Sequence, residues 1–297
     1  MNTYKTGIQV FLKMMVTLLS ACLFLASCDN SRPSDSLSIT IPEIDYTREV
    51  KILTAFFGLD NSLPRRARLL YRNAVGQDGM PLVFSHELDP TTLDGSDFEV
   101  TSLNGEKFEV EFATLRPANE KFELRTVLLI GEYGNFPDNP PISVSVIGDL
   151  MSRTGHNLKG QSINVIPLDK GPVLSYAEFF TLTDDYPYVS NSAGCDCPKD
   201  STKTVVKAVW SGGVRALNGD ELGPNDITSF QVTLVQGKDT TKVNPFQLAD
   251  LADNDNNIDL CIKEAGLPIL VEVSEDTAID PRNDKNPKTS MHVISRW

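Results

Sequence analysis

Asp253, Asp255, Asn257 and Asp259 put an oxygen-bearing side chain at every second position of Asp253-Asn254-Asp255-Asn256-Asn257-Ile258-Asp259. Calcium takes about six to eight hard oxygen ligands, and a loop with this spacing can wrap one ion, as the first half of an EF-hand loop does. The stretch leaves that pattern at Ile258, which stands where a glycine makes the sharp turn, and Glu264 reaches the twelfth place only within a strand-like run. Asx-turns at a strand end use the same residues without an ion. Both readings stand at this stage. Asp280-Pro281-Arg282-Asn283-Asp284 would share the ion if the fold sets it alongside. Calcium is the one cofactor the residues suggest.

Three cysteines, Cys195, Cys197 and Cys261, remain once Cys22 and Cys28 near the amino terminus are set aside. In an oxidising compartment Cys261 is expected to pair with Cys195 or Cys197, and Cys197 with Cys261 is the pairing carried forward. It closes a loop of roughly 65 residues, worth about 4 kcal/mol in the chain-entropy model. Three cysteines also fall one ligand short of a zinc site, and no histidine stands at finger-like spacing to complete it.

Catalysis finds little support. His86, His156 and His292 show no i, i+4 pairing, and the chain has no Gly-x-Ser-x-Gly elbow and no phosphate-cradling glycine loop. A non-enzyme is expected, with a hydrolase using a carboxylate pair as the alternative. Binding has better candidates. Tyr186, Tyr188 and Trp210 stand near prolines and glycines, as do Tyr133 and Phe136, where a ring on a loop tip can stack on a glycan or grip an envelope protein. Trp210 also follows Val205 to Val209 and precedes Ser211-Gly212-Gly213, a place that suits a core residue.

The elements that must position these residues read as strands. Phe108, Val110 and Phe112 alternate with Glu109 and Glu111; Phe230, Val232 and Leu234 alternate with Gln231 and Thr233. Such period-two patterns predict half-buried strands. Asn104-Gly105 between 97–102 and 107–112 predicts a type I′ hairpin, and Asn218-Gly219 a second. Residues 62–71 fit either a short helix or a strand, and 245–251 fit one helical turn. Arg65, Arg66 and Arg68 read as a solvated face.

Phe84-Ser85-His86-Glu87-Leu88-Asp89-Pro90-Thr91-Thr92-Leu93 with Asp97-Phe98, and later Val144-Ser145-Val146 through Gly148-Asp149-Leu150 and Thr154-Gly155-His156-Asn157-Leu158-Lys159-Gly160, resemble the bacterial immunoglobulin-like domain of S-layer and other envelope proteins. The resemblance spans 55–165 and implies two face-to-face sheets. At the amino terminus, Lys5 and Lys13 precede an apolar run, 14–25, too short to span a bilayer, and Leu25-Ala26-Ser27-Cys28 follows it. This segment resembles a bacterial lipoprotein signal with its lipobox, which implies cleavage before Cys28, fatty acylation of that cysteine and attachment to the cell outer membrane. The chain carries 40 acidic against 27 basic residues, a formal charge of −13, so nucleic acid is excluded as a partner. Membrane contact is expected through lipid alone.

The expected fold is all-β: two immunoglobulin-like β-sandwich domains in tandem after a cleaved signal and flexible tether. The expected segments are the signal 1–27, a lipidated tether 28–48, a sandwich 49–166, a connection 167–203 containing Cys-x-Cys, and a second sandwich 204–297.

Overall fold

The computed structural model describes residues 49–120, 122–182, 195–249 and 253–296. All of them belong to one compact unit, Pro42–Trp297. Cys28, Tyr186 and Tyr188 lie outside the described residues. Regular structure among the described residues is β-strand with short 3-10 turns, and no helix there is long and apolar enough to cross a membrane.

Eight strands build the first sandwich: β1 (Ile52–Phe56), β2 (Asp78–Phe84), β3 (Phe98–Ser102), β4 (Lys107–Glu109), β5 (Phe112–Thr114), β6 (Thr126–Gly131), β7 (Pro141–Val146) and β8 (Ser162–Ile166). Their order, β4-β3-β7-β8-β1-β2-β6-β5, is the immunoglobulin arrangement of one C′-C-F-G face and one A-B-E-D face. Strand β8 joins the faces. Ser162 to Asn164 pair antiparallel with β7, and Val165 and Ile166 pair parallel with β1. Alternation explains the core: Leu82 and Phe84, Val127 and Leu129, Phe98 and Val100, and Val144 and Val146 point inward from four strands and are buried together.

The same plan recurs in the second half. Strands β9 (Leu174–Phe180), β10 (Thr204–Trp210), β11 (Arg215–Ala216), β12 (Phe230–Gln236), β13 (Asp239–Val243), β14 (Gln247–Ala249), β15 (Asn257–Ile262), β16 (Leu267–Val273), β17 (Ala278–Ile279), β18 (Thr289–His292) and β19 (Ile294–Ser295) follow in order. One sheet runs β14-β15-β10-β9-β19 and the facing sheet β13-β12-β16-β18. The last strand again divides its pairing, β18 with β16 and β19 parallel with β9. Phe230, Val232 and Leu234 enter this core opposite Val206, Ala208 and Trp210.

Four local expectations change. The stretch 167–203, expected as a connection, contains β9, the first strand of the second sandwich. Residues 107–112 do not form one strand, because β4 pairs with β3 while β5 pairs with β6 on the other face. At the turn between β3 and β4 only Gly105 has positive φ, at 84°, so the turn is not type I′. Residues 65–69 form a 3-10 turn with Arg65, Arg66 and Arg68 exposed, and 247–249 form a strand instead of a helical turn.

Cys197 and Cys261 form a disulfide between residues 64 apart, and Cys195 is buried as a free thiol. The bond ties the segment leading into β10 to β15. Replacing both cysteines by alanine is expected to lower the unfolding free energy by about 4 kcal/mol, measured by urea denaturation under oxidising conditions.

Candidate functional site: the buried joint between the sandwiches

Strands β10 and β15 are buried along their whole length. Their inward residues line the second core. Their outward residues, with those of β9, make three rows across the sheet: Tyr176-Val209-Asn257, Glu178-Lys207-Asp259 and Phe180-Val205-Cys261. The first sandwich covers these rows with its own A-B-E-D face. Val83 and Leu53 pack on Tyr176 and Val209, Thr54 Oγ1 donates to Ser175 Oγ at 3.0 Å, and Asn256 Nδ2 donates to Thr126 Oγ1 at 3.0 Å. Gly212 permits this approach, since a Cβ there would lie 3.0 Å from both Phe56 and Pro81.

The middle row is charged. Lys207 Nζ is ion-paired with Glu123, from the loop before β6, and with Asp259 Oδ1 at 3.3 Å. Glu178 accepts from Arg296 at 2.5 Å and from Tyr176 Oη at 2.9 Å, and meets Arg125 at 3.4 Å. Arg125 also donates to Ser85 O and stacks 4.1 Å over Tyr176, while Arg296 donates to Phe122 O at 2.7 Å. Every one of these six charged side chains is 5 % exposed or less. Three cations face three carboxylates. Removing an ion from water costs several kcal/mol, so such a set is tolerable only when opposite charges and hydrogen bonds replace the lost hydration. Burial alone would raise the Glu178 carboxyl; Arg125, Arg296 and Tyr176 outweigh it and hold the carboxyl below the ordinary glutamate range. Burial, followed by the Asp259 carboxylate, pushes the Cys195 thiol far up, so it stays protonated beside Asp259.

The oxygen-rich stretch divides. Asp259 lies within β15 and faces Lys207, and Asn257 donates its backbone N–H and side-chain amide to Asp255 at 2.6 and 2.8 Å. Neither joins an ion loop, because strand formation from 257 onward carries them onto the sheet face. Asp253 accepts from the Asp255 N–H at 3.1 Å, an Asx-turn. Asp253 and Asp255 instead meet Glu120 and Glu123 of the first sandwich, with carboxylate oxygens all within 4.8 Å of one another. Glu120 and Glu123 were invisible to sequence reasoning, being over 100 residues away in a loop without a motif. Lys207 did carry a signal: it is the lone charge in Thr204-Val205-Val206-Lys207-Ala208-Val209-Trp210.

Trp210 is fully buried in the second core, which corrects its assignment to a ligand-binding surface: its inward position on β10 removes the ring from any partner. Tyr133 is buried too. Asp280 accepts from the N–H groups of Arg282 and Asp284, and burial raises its carboxyl. Pro281 and Asp253 to Asn256 line a common cleft of about 340 Å³, walled by Leu63, Ala67 and Pro117. His86 and His156 make local contacts to Ser85 and Thr154.

No protein-family model and no curated protein matches this chain. Two solved structures are similar at low level: the N-terminal part of the bacterial S-layer protein SbsC, with TM-score 0.28 and 9 % identity over 83 % of this chain and 44 % of that one, and SbsC domains 1–6, with TM-score 0.27 and 8 % identity over 84 % and 55 %. The chain thus spans about half the length of those structures, and likeness at this level carries no inference about function.

Arg125→Met leaves Glu178 buried with one guanidinium fewer and is expected to cost about 3–5 kcal/mol, read by denaturant unfolding. The depressed Glu178 carboxyl contributes stability that is complete above its unfolded pKa of about 4.3 and is lost as pH falls through its lower folded value. Acid titration of the unfolding free energy should therefore show a drop in that window that Glu178→Gln lacks.

Proposed function

We propose that this protein is a lipid-anchored spacer of the bacterial cell envelope, held to the outer membrane through acyl chains on Cys28 and acting by contact with a glycan or an envelope protein instead of by turnover. The observation that carries the reading is the joint: two immunoglobulin-like sandwiches share a buried, charge-balanced face, and a rigid pair suits the setting of distance and orientation. Burial of Trp210 and Tyr133 favours a spacer over a glycan grip built on those rings. The lipobox residues Leu25-Ala26-Ser27-Cys28 support the anchor. In native cells, labelled palmitate is expected to enter the wild-type protein and not Cys28→Ala. An unmodified wild-type amino terminus by mass spectrometry would remove the anchor from this reading.

Convergence of carboxylates from both sandwiches favours a second element, a calcium ion held at the joint by Glu120, Asp253 and Asp255, with Glu123 already engaged by Lys207. Like charges this close repel in a poorly hydrated site, and a divalent cation offsets that repulsion. Calcium at about a hundredfold excess over its Kd should raise Tm by about 5–10 °C. Chelator should reverse the rise and Asp253→Asn should abolish it; an unchanged Tm would end the calcium reading.

A further inference from the structure

The charged row holds a reactive arrangement as well as an electrostatic one. Lys207 and Asp259 are direct partners across β10 and β15, and Lys207 Nζ lies 3.3 Å from Asp259 Oδ1. Glu123 touches the same Nζ from the opposing sandwich. All three side chains are fully buried. The flanking rows seal them from solvent, Tyr176 and Val209 on one side, Phe180, Val205 and the Cys197–Cys261 disulfide on the other. An amine, a carboxyl carbon and a second carboxylate able to carry protons thus meet without water. This is the constellation that amide formation requires: proximity replaces the entropy of collision, and exclusion of water removes both the competing solvation and the hydrolytic reverse reaction.

We propose that Lys207 and Asp259 become joined by an isopeptide bond between Nζ and Cγ, with Glu123 as the proton carrier. Glu123 takes a proton from the lysine ammonium, and the freed nitrogen lone pair attacks Asp259 Cγ. The proton returns through Glu123 to the departing carboxyl oxygen. The ammonium surrenders two protons and the carboxylate one oxygen, which leave as a single water; nothing is oxidised or reduced, and Glu123 ends as it began. The reaction removes one positive and one negative charge together, so Arg125 and Arg296 still balance Glu178 and Glu123. Because Glu123 comes from the first sandwich, the bond forms only after the two sandwiches dock. The product ties β10 to β15 covalently, beside the disulfide that already holds β15.

Intact-mass spectrometry of the purified, folded full chain tests this directly. The expected mass is one water below that of the disulfide-bonded sequence. Trypsin should fail to cut after Lys207 and should release a branched peptide containing both Lys207 and Asp259. Glu123→Gln, which keeps the shape and removes the proton carrier, should return the full mass and the ordinary cleavage. A wild-type protein of full mass would overturn the proposal, as would a water loss mapped by peptide sequencing to another residue. Persistence of the branched peptide in Glu123→Gln would overturn the role given to Glu123. The wild-type measurement decides the bond even if that variant fails to fold.

Discussion

Six charged side chains buried between two β-sandwiches are the constraint around which this structure is organised. Arg125, Lys207 and Arg296 face Glu123, Glu178 and Asp259 with almost no solvent contact. Each ion taken alone would oppose folding by several kcal/mol. Together they are neutral, and their neutrality depends on geometry supplied by three separate places: the 122–125 loop of the first sandwich, the outward face of β9, β10 and β15, and the carboxy-terminal Arg296. Displacing one sandwich would strand charges on both, so the set specifies relative orientation more than it adds stability. A purely apolar face of the same area would tolerate sliding; paired charges with fixed hydrogen bonds do not.

The two sandwiches share a topology down to the division of the last strand between sheets. Strands β1 and β9 play the same part, and so do β2 and β10, β6 and β15, and β8 and the β18–β19 pair. The equivalence clarifies the joint, since each domain offers its A-B-E-D sheet. In an isolated sandwich the outer face of that sheet would be polar and wet. Here β10 and β15 are buried on both faces, which accounts for a composition closer to that of an internal strand than of a surface one. The acidic cluster at one edge of the joint and the neutral charged row at its centre are two results of the same apposition. In the first, like charges from both sides meet, with Glu120 and Asp253 half-buried and Glu123 and Asp255 buried; in the second, opposite charges meet where water does not reach.

Much of the fold was legible because strands announce themselves locally. Alternation at Phe230, Val232 and Leu234, and turn residues such as Gly105, specify strands and bends without reference to distant parts of the chain. Strand β9 was missed because its surroundings are rich in proline and its residues are buried on both faces, which erases the period-two pattern. The division of 107–112 between two sheets was hidden for a related reason: the residue types alternate straight through it, yet Phe108 and Val110 enter the first core while Phe112 packs outside it against Tyr71.

Length, acidic balance, the amino-terminal cysteine motif, the strand-rich character and the odd count of cysteines all follow from the order of residues, since each depends on local composition or short spacing. Which charges neighbour one another does not. Asp259 belongs by sequence to an oxygen-rich loop, yet the strand carries it to Lys207, while Glu120 and Glu123 reach Asp253 and Asp255 across more than 100 residues. The physical reason is that a buried charge is placed by pairing across sheets and between domains, and those contacts arise only when the backbone has already folded.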